Sequence, residues 1–375
     1  MASKEILVVG FGAVGTIFSL ICKRSERAVV TAVARSNFDA VNKNGMHIKS
    51  EKYGDVVGWK PDRLCNSVSS AADRSYDYVI LTTKAIPDLT TTPQVLAPLL
   101  SRPYTENFRQ PAYVILQNGL NVERDLYNAI KALDQEQPKV IGTCLWIATN
   151  LRSPDVVEHS GFDRPTLGVY RPDSFTATSN TPEESEILNG IASILKAGGS
   201  TVSVVAEIQS RKFAKNFWNL AFASLATLTN STLPAIFRDP PKDPAVTYSP
   251  YIAPKTAHRI REYTIPALDA TLQELLTLGR ALGFPDSEDG LPSDLVQRTI
   301  ANTRALHVKP ESVHVPSMLL DLRNGTPLEV EVIVGEVVRM ARSRNVPVPR
   351  IEMLYALLLV VQNQIIRKIE EKSKM

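Results

Sequence analysis

Apolar positions fall in short continuous runs in the first half of the chain and at helical spacing in the second. Ile6-Leu7-Val8-Val9 is an unbroken apolar run, the mark of a strand buried on both faces. Ile17, Phe18, Leu20 and Ile21 then recur as one face of a helix. Between them stands Gly10-Phe11-Gly12-Ala13-Val14-Gly15, so the pattern predicts strand, glycine turn, helix. Val29–Ala34, Tyr76–Thr82 and Tyr113–Leu116 read as further buried strands. Val140-Ile141, Leu145–Ala148, Val156-Val157 and Leu167–Tyr170 read as short antiparallel strands at the sheet edge, and Thr201–Val205 as the last strand. Glu183–Lys196 has helical period and is stopped by Gly198-Gly199.

From Glu207 onward helical periodicity dominates. Helices are predicted over 207–229, 265–283, 292–306, 327–344 and 349–371. The change of period sets a boundary near 206, with an α/β domain over 1–206 and an all-helical domain over 207–375. Residues 234–254 are rich in proline (Pro234, Pro240, Pro241, Pro244, Pro250, Pro254) and read as a loop, suited to a lid, a partner surface or a solvated excursion.

The glycine spacing, in this context, is the G-x-G-x-x-G dinucleotide fingerprint. Gly10 makes the tight turn, Gly12 lets a pyrophosphate approach the backbone, and Gly15 lets helix and strand pack closely. Ala13 and Val14 open the helix, whose free N–H groups and positive dipole end suit phosphate. The second strand ends in Arg35-Ser36-Asn37, where an acidic residue would hold the 2′-hydroxyl of NAD. Arg35 suits a 2′-phosphate instead, which points to NADP(H); the nearest acid, Asp39, falls on the following helix. Thr83-Lys84 and Gln117-Asn118-Gly119 follow the next two strands. Carboxyl ends of parallel strands carry ligands, so Lys84 and Asn118 are placed toward the cofactor. The same positions also suit a surface lysine and a plain Asn-Gly turn.

Bulk composition narrows the class. The chain has 375 residues, 44% hydrophobic and 22% charged, with a net charge of +3, too mild a surplus to argue for nucleic acid. Cys22, Cys65 and Cys144 form no pairing or metal-ligand pattern, and the histidines show no ligand spacing, so no metal site is expected. The first strand begins too early for a leader peptide, and the longest apolar run, Ala356–Val361, is too short for a bilayer. Lys372-Ser373-Lys374-Met375 is neither an anchor nor a peroxisomal address. A cytoplasmic protein without membrane contact is expected. The apolar helix carrying Leu354, Leu357, Leu358 and Val361 reads as core.

Chemistry is expected to come from the cofactor, with the protein supplying a proton and positioning. Two Lys/Asn pairs at i, i+4 lie on the 207–229 helix: Lys212 with Asn216, and Lys215 with Asn219. A lysine there could protonate a carbonyl oxygen that an asparagine also binds. Periodicity does not choose between the pairs, and Lys212 also suits a charged outer face. Farther on, Thr326-Pro327-Leu328-Glu329 has the form of a capping box, in which Glu329 would bond back to the cap backbone.

The assembled motifs resemble the ketopantoate reductase (2-dehydropantoate 2-reductase) family, in its fungal-type members. They are the Gly10–Gly15 turn, Arg35, Thr83-Lys84, Leu116-Gln117-Asn118-Gly119, Phe213-Ala214-Lys215-x-x-x-Asn219, Ser317-Met318-Leu319-x-Asp321 and Glu329-x-Glu331. The resemblance implies a Rossmann domain followed by an all-helical one, and NADPH-dependent reduction of a 2-oxo acid. It selects Lys215 as the general acid and Asn219 as a substrate ligand. It gives Ser317 the carboxylate end, Glu329 a contact to Lys215 or the substrate hydroxyl, and Lys84 and Asn118 the nicotinamide and its ribose. It also brings an expectation of a homodimer. Two positions depart from the family pattern: Ala223 and His314 stand where asparagine is common, and 234–254 looks like an insertion. They leave the substrate open between ketopantoate, of pantothenate biosynthesis, and another carbonyl compound of a fungal specialised pathway. The alternative is a non-redox family member that binds NADP or acts on a larger molecule.

Overall fold

The computed structural model describes residues 3–243 and 245–373. Pro244, within the proline-rich stretch, and Lys374 and Met375, at the C-terminus, lie outside the described residues. The chain forms two compact units, Met1–Gln209 and Ser210–Met375.

The first unit is built on one ten-stranded sheet. Its strands are β1 (Lys4–Val9), β2 (Ala28–Val33), β3 (Met46–Ser50), β4 (Gly54–Trp59), β5 (Arg63–Cys65), β6 (Tyr78–Leu81), β7 (Ala112–Ile115), β8 (Val140–Ser153), β9 (Val156–Val169) and β10 (Ser203–Val204). They run in the order β4-β3-β9-β8-β7-β6-β1-β2-β5, with β10 beside β9. The pairs around β1 are all parallel: β1 with β2 and β6, β6 with β7, β7 with β8, β2 with β5. That explains the solid apolar run, because a parallel strand covered on both faces has no polar side. Ile6, Leu7 and Val8 are fully buried. Helix α1 (Ala13–Arg24) lays Ile17, Phe18 and Ile21, all fully buried, into the same core.

The four short strands expected at the sheet edge are two long ones. β8 and β9 each run 14 residues and pair antiparallel, with register shifts between Ile147 and Thr149 and between Leu151 and Ser153. Those bulges interrupt the two-residue alternation that would have marked a continuous strand. They are not at the edge, because β3 and β4, which the apolar pattern did not reveal, lie beyond β9. The helix expected over 183–196 is Pro182–Ala197, opened by a capping box in which the Thr181 hydroxyl accepts from the Glu184 amide.

The second unit is helical. The helix expected over 207–229 is three joined pieces: Gln209–Trp218, a π-turn at Asn219–Ala223, and Ser224–Thr229, ended by Asn230 at φ +48°. Ile265–Ala281, Leu295–His307 and Pro349–Ser373 match expected helices. The proline-rich stretch carries its own short helix, Pro234–Phe237. The helix expected from 327 starts only at Val330, passes through a π-turn at Glu331–Gly335 and continues as Glu336–Ser343. Carboxylates brace these helices: Glu331 accepts from the Tyr355 hydroxyl at 2.5 Å and from Arg339 at 2.7 Å, and Glu274 accepts from Arg350 at 3.0 Å. The C-terminal helix is core on one face only, with Leu358 fully buried but Met353, Leu357 and Val360 exposed. Among the described residues, no helix is long and apolar enough to cross a membrane.

Candidate active site

In the first unit the glycine turn has the steric logic its spacing predicted. Gly10 sits at φ +97°, where a side chain is strained, and a Cβ there would come within 2.8 Å of the Thr83 amide nitrogen. A Cβ on Gly15 would lie 1.9 Å from the Gly10 carbonyl oxygen, so only glycine lets α1 pack this close to β1. A Cβ on Gly12 would meet nothing within 4 Å, so no protein contact demands glycine there. Gly12 is the N-cap of α1, with no side-chain cap and no acidic residue in the first turn that Ala13 and Val14 open. This is the open backbone and positive helix end that a dinucleotide pyrophosphate requires, and the residues fit the group.

Two residues that the sequence reading passed over hold this turn. The Thr82 hydroxyl donates to the Gly10 carbonyl at 2.5 Å. Asn37, buried at the start of α2 (Phe38–Asn44), donates to the Phe11 carbonyl at 2.9 Å and to the Pro154 carbonyl at 3.0 Å. One amide thus ties the glycine turn to the tip of the β8–β9 hairpin. The only sequence signal was an asparagine just before a helix, which reads as an ordinary cap.

Arg35 is exposed just past the end of β2, and Asp39 lies exposed on α2. Lys84 is exposed beyond β6 and Asn118 half-buried beyond β7. Both strands are parallel to each other and β6 is parallel to β1, so Lys84 and Asn118 stand at the same sheet end as the glycine turn. Gln117 joins their loops by donating from Nε2 to the Thr83 hydroxyl at 3.2 Å.

In the second unit the two Lys/Asn pairs separate. Lys212 and Asn216 are buried, so the expectation of a charged outer face at Lys212 is corrected: the helix turns that face into the core. Asn216 donates from Nδ2 to the Ile333 carbonyl at 2.9 Å, which joins the Gln209–Trp218 helix to the Glu331–Gly335 π-turn. Lys215 and Asn219 are half-buried. Asn219 opens one π-turn, and the Glu331–Gly335 π-turn packs against it, as does the Ser317–Asn324 helix. Such widened turns recur at functional sites.

The capping box expected at Thr326–Glu329 does not form, because the helix begins later. The Thr326 amide donates instead to the Asp321 carbonyl at 3.0 Å, closing the turn after the Ser317–Asn324 helix. Glu329 is buried, and its carbonyl receives the Ile333 amide at 3.1 Å. Ser317 is exposed at the first position of its helix. His314 is exposed, lies edge-on to Trp218 with ring centroids 5.4 Å apart, and its Nδ1 is 3.4 Å from Nε2 of His307. His307 is fully buried with Nδ1 2.7 Å from the Thr303 carbonyl, and burial holds its imidazole below the ordinary value. Ala223 is buried in the π-turn.

The chain is similar to known proteins over most of its length. Residues 6–172 match the family model described as ketopantoate reductase PanE/ApbA, and residues 255–362 match the model of its C-terminal part. An uncharacterized protein of Saccharomyces cerevisiae is 23% identical, over 99% of this chain and 98% of its own. The crystal structure of 2-dehydropantoate 2-reductase from Methylococcus capsulatus is similar at a TM-score of 0.72 and 23% identity, covering 96% of this chain and 97% of that one. A structure of D-mandelate dehydrogenase with NADH and anilino(oxo)acetate has a TM-score of 0.70 at 18% identity, covering 96% of this chain and 99% of that one. With both family models matched in chain order over most of its length, the chain belongs to the ketopantoate reductase PanE/ApbA family.

Proposed function

We propose that this protein is an NADP(H)-dependent reductase that converts a 2-oxo acid or a related ketone into the hydroxy compound. The observation that carries the reading is the glycine turn, where the one glycine that nothing crowds is Gly12, the position a pyrophosphate needs open. Gly10, Gly12, Ala13, Val14 and Gly15 would hold the pyrophosphate, Arg35 the 2′-phosphate, and Lys84 and Asn118 the ribose and nicotinamide end. The bound cofactor supplies the hydride.

The protein's part is the proton and the orientation. Hydride addition leaves negative charge on the former ketone oxygen, which a positioned ammonium neutralises. Lys215 is the proton donor in this reading and Asn219, one helical turn on, binds the same oxygen. Glu329, buried just before the Glu331–Gly335 π-turn, contacts Lys215 or the product hydroxyl in this reading. Ser317 takes the carboxylate end. His314, edge-on to Trp218, is a further substrate ligand in this reading.

A second reading is supported by Ala223 and His314. An alanine and an imidazole stand where two amides are common in the family, and a site that lacks its hydrogen-bonding groups loses discrimination in favour of the polar substrate they would bind. The substrate would then be larger or less polar than ketopantoate, or the pocket would serve a non-redox reaction. NADPH oxidation measured across 2-oxo acids and bulkier ketones separates the two. Turnover with any of them supports the reductase, and its ketone names the class. NADPH binding without turnover on the whole panel would overturn it.

A further inference from the structure

We propose that the second unit holds an oxyanion-binding site, for a carboxylate or a phosphate, built on Arg238. Its side chain is 2% exposed, the largest among the fully buried. A buried guanidinium is costly unless a carboxylate pairs with it. Among the described residues, no ion pair forms to Arg238. Nη2 donates to the Ser312 carbonyl at 2.7 Å, and Nε is buried with no partner.

The second unsatisfied donor is beside the first. The Ser312 hydroxyl is buried without a partner, and it belongs to the residue whose carbonyl Arg238 already holds. A cation and a hydroxyl, adjacent, buried and both short of an acceptor, are the complement of an oxyanion. A buried charged N–H left unpaired costs more than a buried hydroxyl left unpaired.

The proline-rich stretch forms the cover. The Ile252 amide donates to the Arg238 carbonyl at 2.8 Å, which brings the two ends of the stretch together beside the guanidinium's own backbone. The half-buried Tyr248 lays its ring over the guanidinium, 5.1 Å from the centroid, and its hydroxyl donates to the Asp239 carbonyl at 3.0 Å. Planar guanidinium recognises carboxylate and phosphate through parallel N–H groups, and the Nε edge is the edge left open.

The inference does not rest on the reductase reading, and its test reads binding rather than turnover. The melting temperature of the full chain is titrated with inorganic phosphate and, separately, with acetate, at constant ionic strength held by sodium chloride. A saturable rise in the wild type that is absent in Arg238→Met supports the site, and the anion with the lower half-saturation names its class. Ser312→Ala keeps the carbonyl that Arg238 uses, and it should raise the half-saturating concentration about tenfold. That variant decides the matter if Arg238→Met does not fold. No saturable rise with either anion, or an unchanged half-saturation in Ser312→Ala, would overturn the proposal.

Discussion

The two units carry their candidate site residues in opposite ways. In the first, the glycine turn is a local object: three glycines in six residues, two demanded by packing and one, Gly12, that nothing crowds. In the second, the residues come from separate helices, and what unites them is packing around the Asn219–Ala223 π-turn. A cofactor shared by many reactions calls for a fixed backbone shape, which short spacing encodes. A substrate end is assembled from distant side chains, so it can change residue by residue while the fold stays.

The largest expected effect breaks the second unit's chemistry and leaves the first intact. Lys215→Ala should lower kcat by about 100-fold or more, the usual cost of losing a general acid, with little change in NADPH affinity. Normal turnover in that variant would show that the proton comes from elsewhere, with the buried Lys212 the next place to look. Next in size is Gly15→Ala. Its Cβ would lie 1.9 Å from a backbone carbonyl that no side-chain rotation can move, and overpacking of this kind costs about 1–3 kcal/mol. A lowered urea midpoint checks it.

Arg35→Asp should weaken NADPH binding by about 1.5–3 kcal/mol, the range for hydrogen bonds to charged groups, and leave NADH binding nearly unchanged. Equal losses for both cofactors in a titration would remove Arg35 as the 2′-phosphate ligand. The smallest effect sharpens the contrast within the turn itself. Gly12→Ala meets no protein atom, so its urea midpoint should stay at the wild-type value while the NADPH dissociation constant rises, by about tenfold or roughly 1.4 kcal/mol. A change in stability with no change in affinity would invert the roles assigned to Gly12 and Gly15.

Much of the fold was legible because the strongest signals were periodic and long. Buried parallel strands read as solid apolar runs, and the later helices read at their own spacing. The strands that escaped were β3, β4, the three-residue β5 and the outer half of the β8–β9 hairpin. Trp146 and Leu151 on that hairpin are exposed, and its bulges shift the alternation, so no simple apolar period survives. The late start of the helix at Val330 was hidden for a different reason. Thr326-Pro327-Leu328-Glu329 has the letters of a capping box, but the turn after Gly325, at φ +64°, spends Thr326 on Asp321.

The sequence alone settled the α/β order of the chain, the shape of the dinucleotide turn and the family, since each depends on residues close together or on motifs in a fixed order. Tertiary structure decided what no spacing could. It turned Lys212 and Asn216 inward and left Lys215 and Asn219 half-exposed on one helix. It fastened the glycine turn to a hairpin more than a hundred residues away through Asn37. It buried Arg238 without a carboxylate. Burial and pairing are properties of side chains brought together from afar, and the chain reveals them only when it is folded.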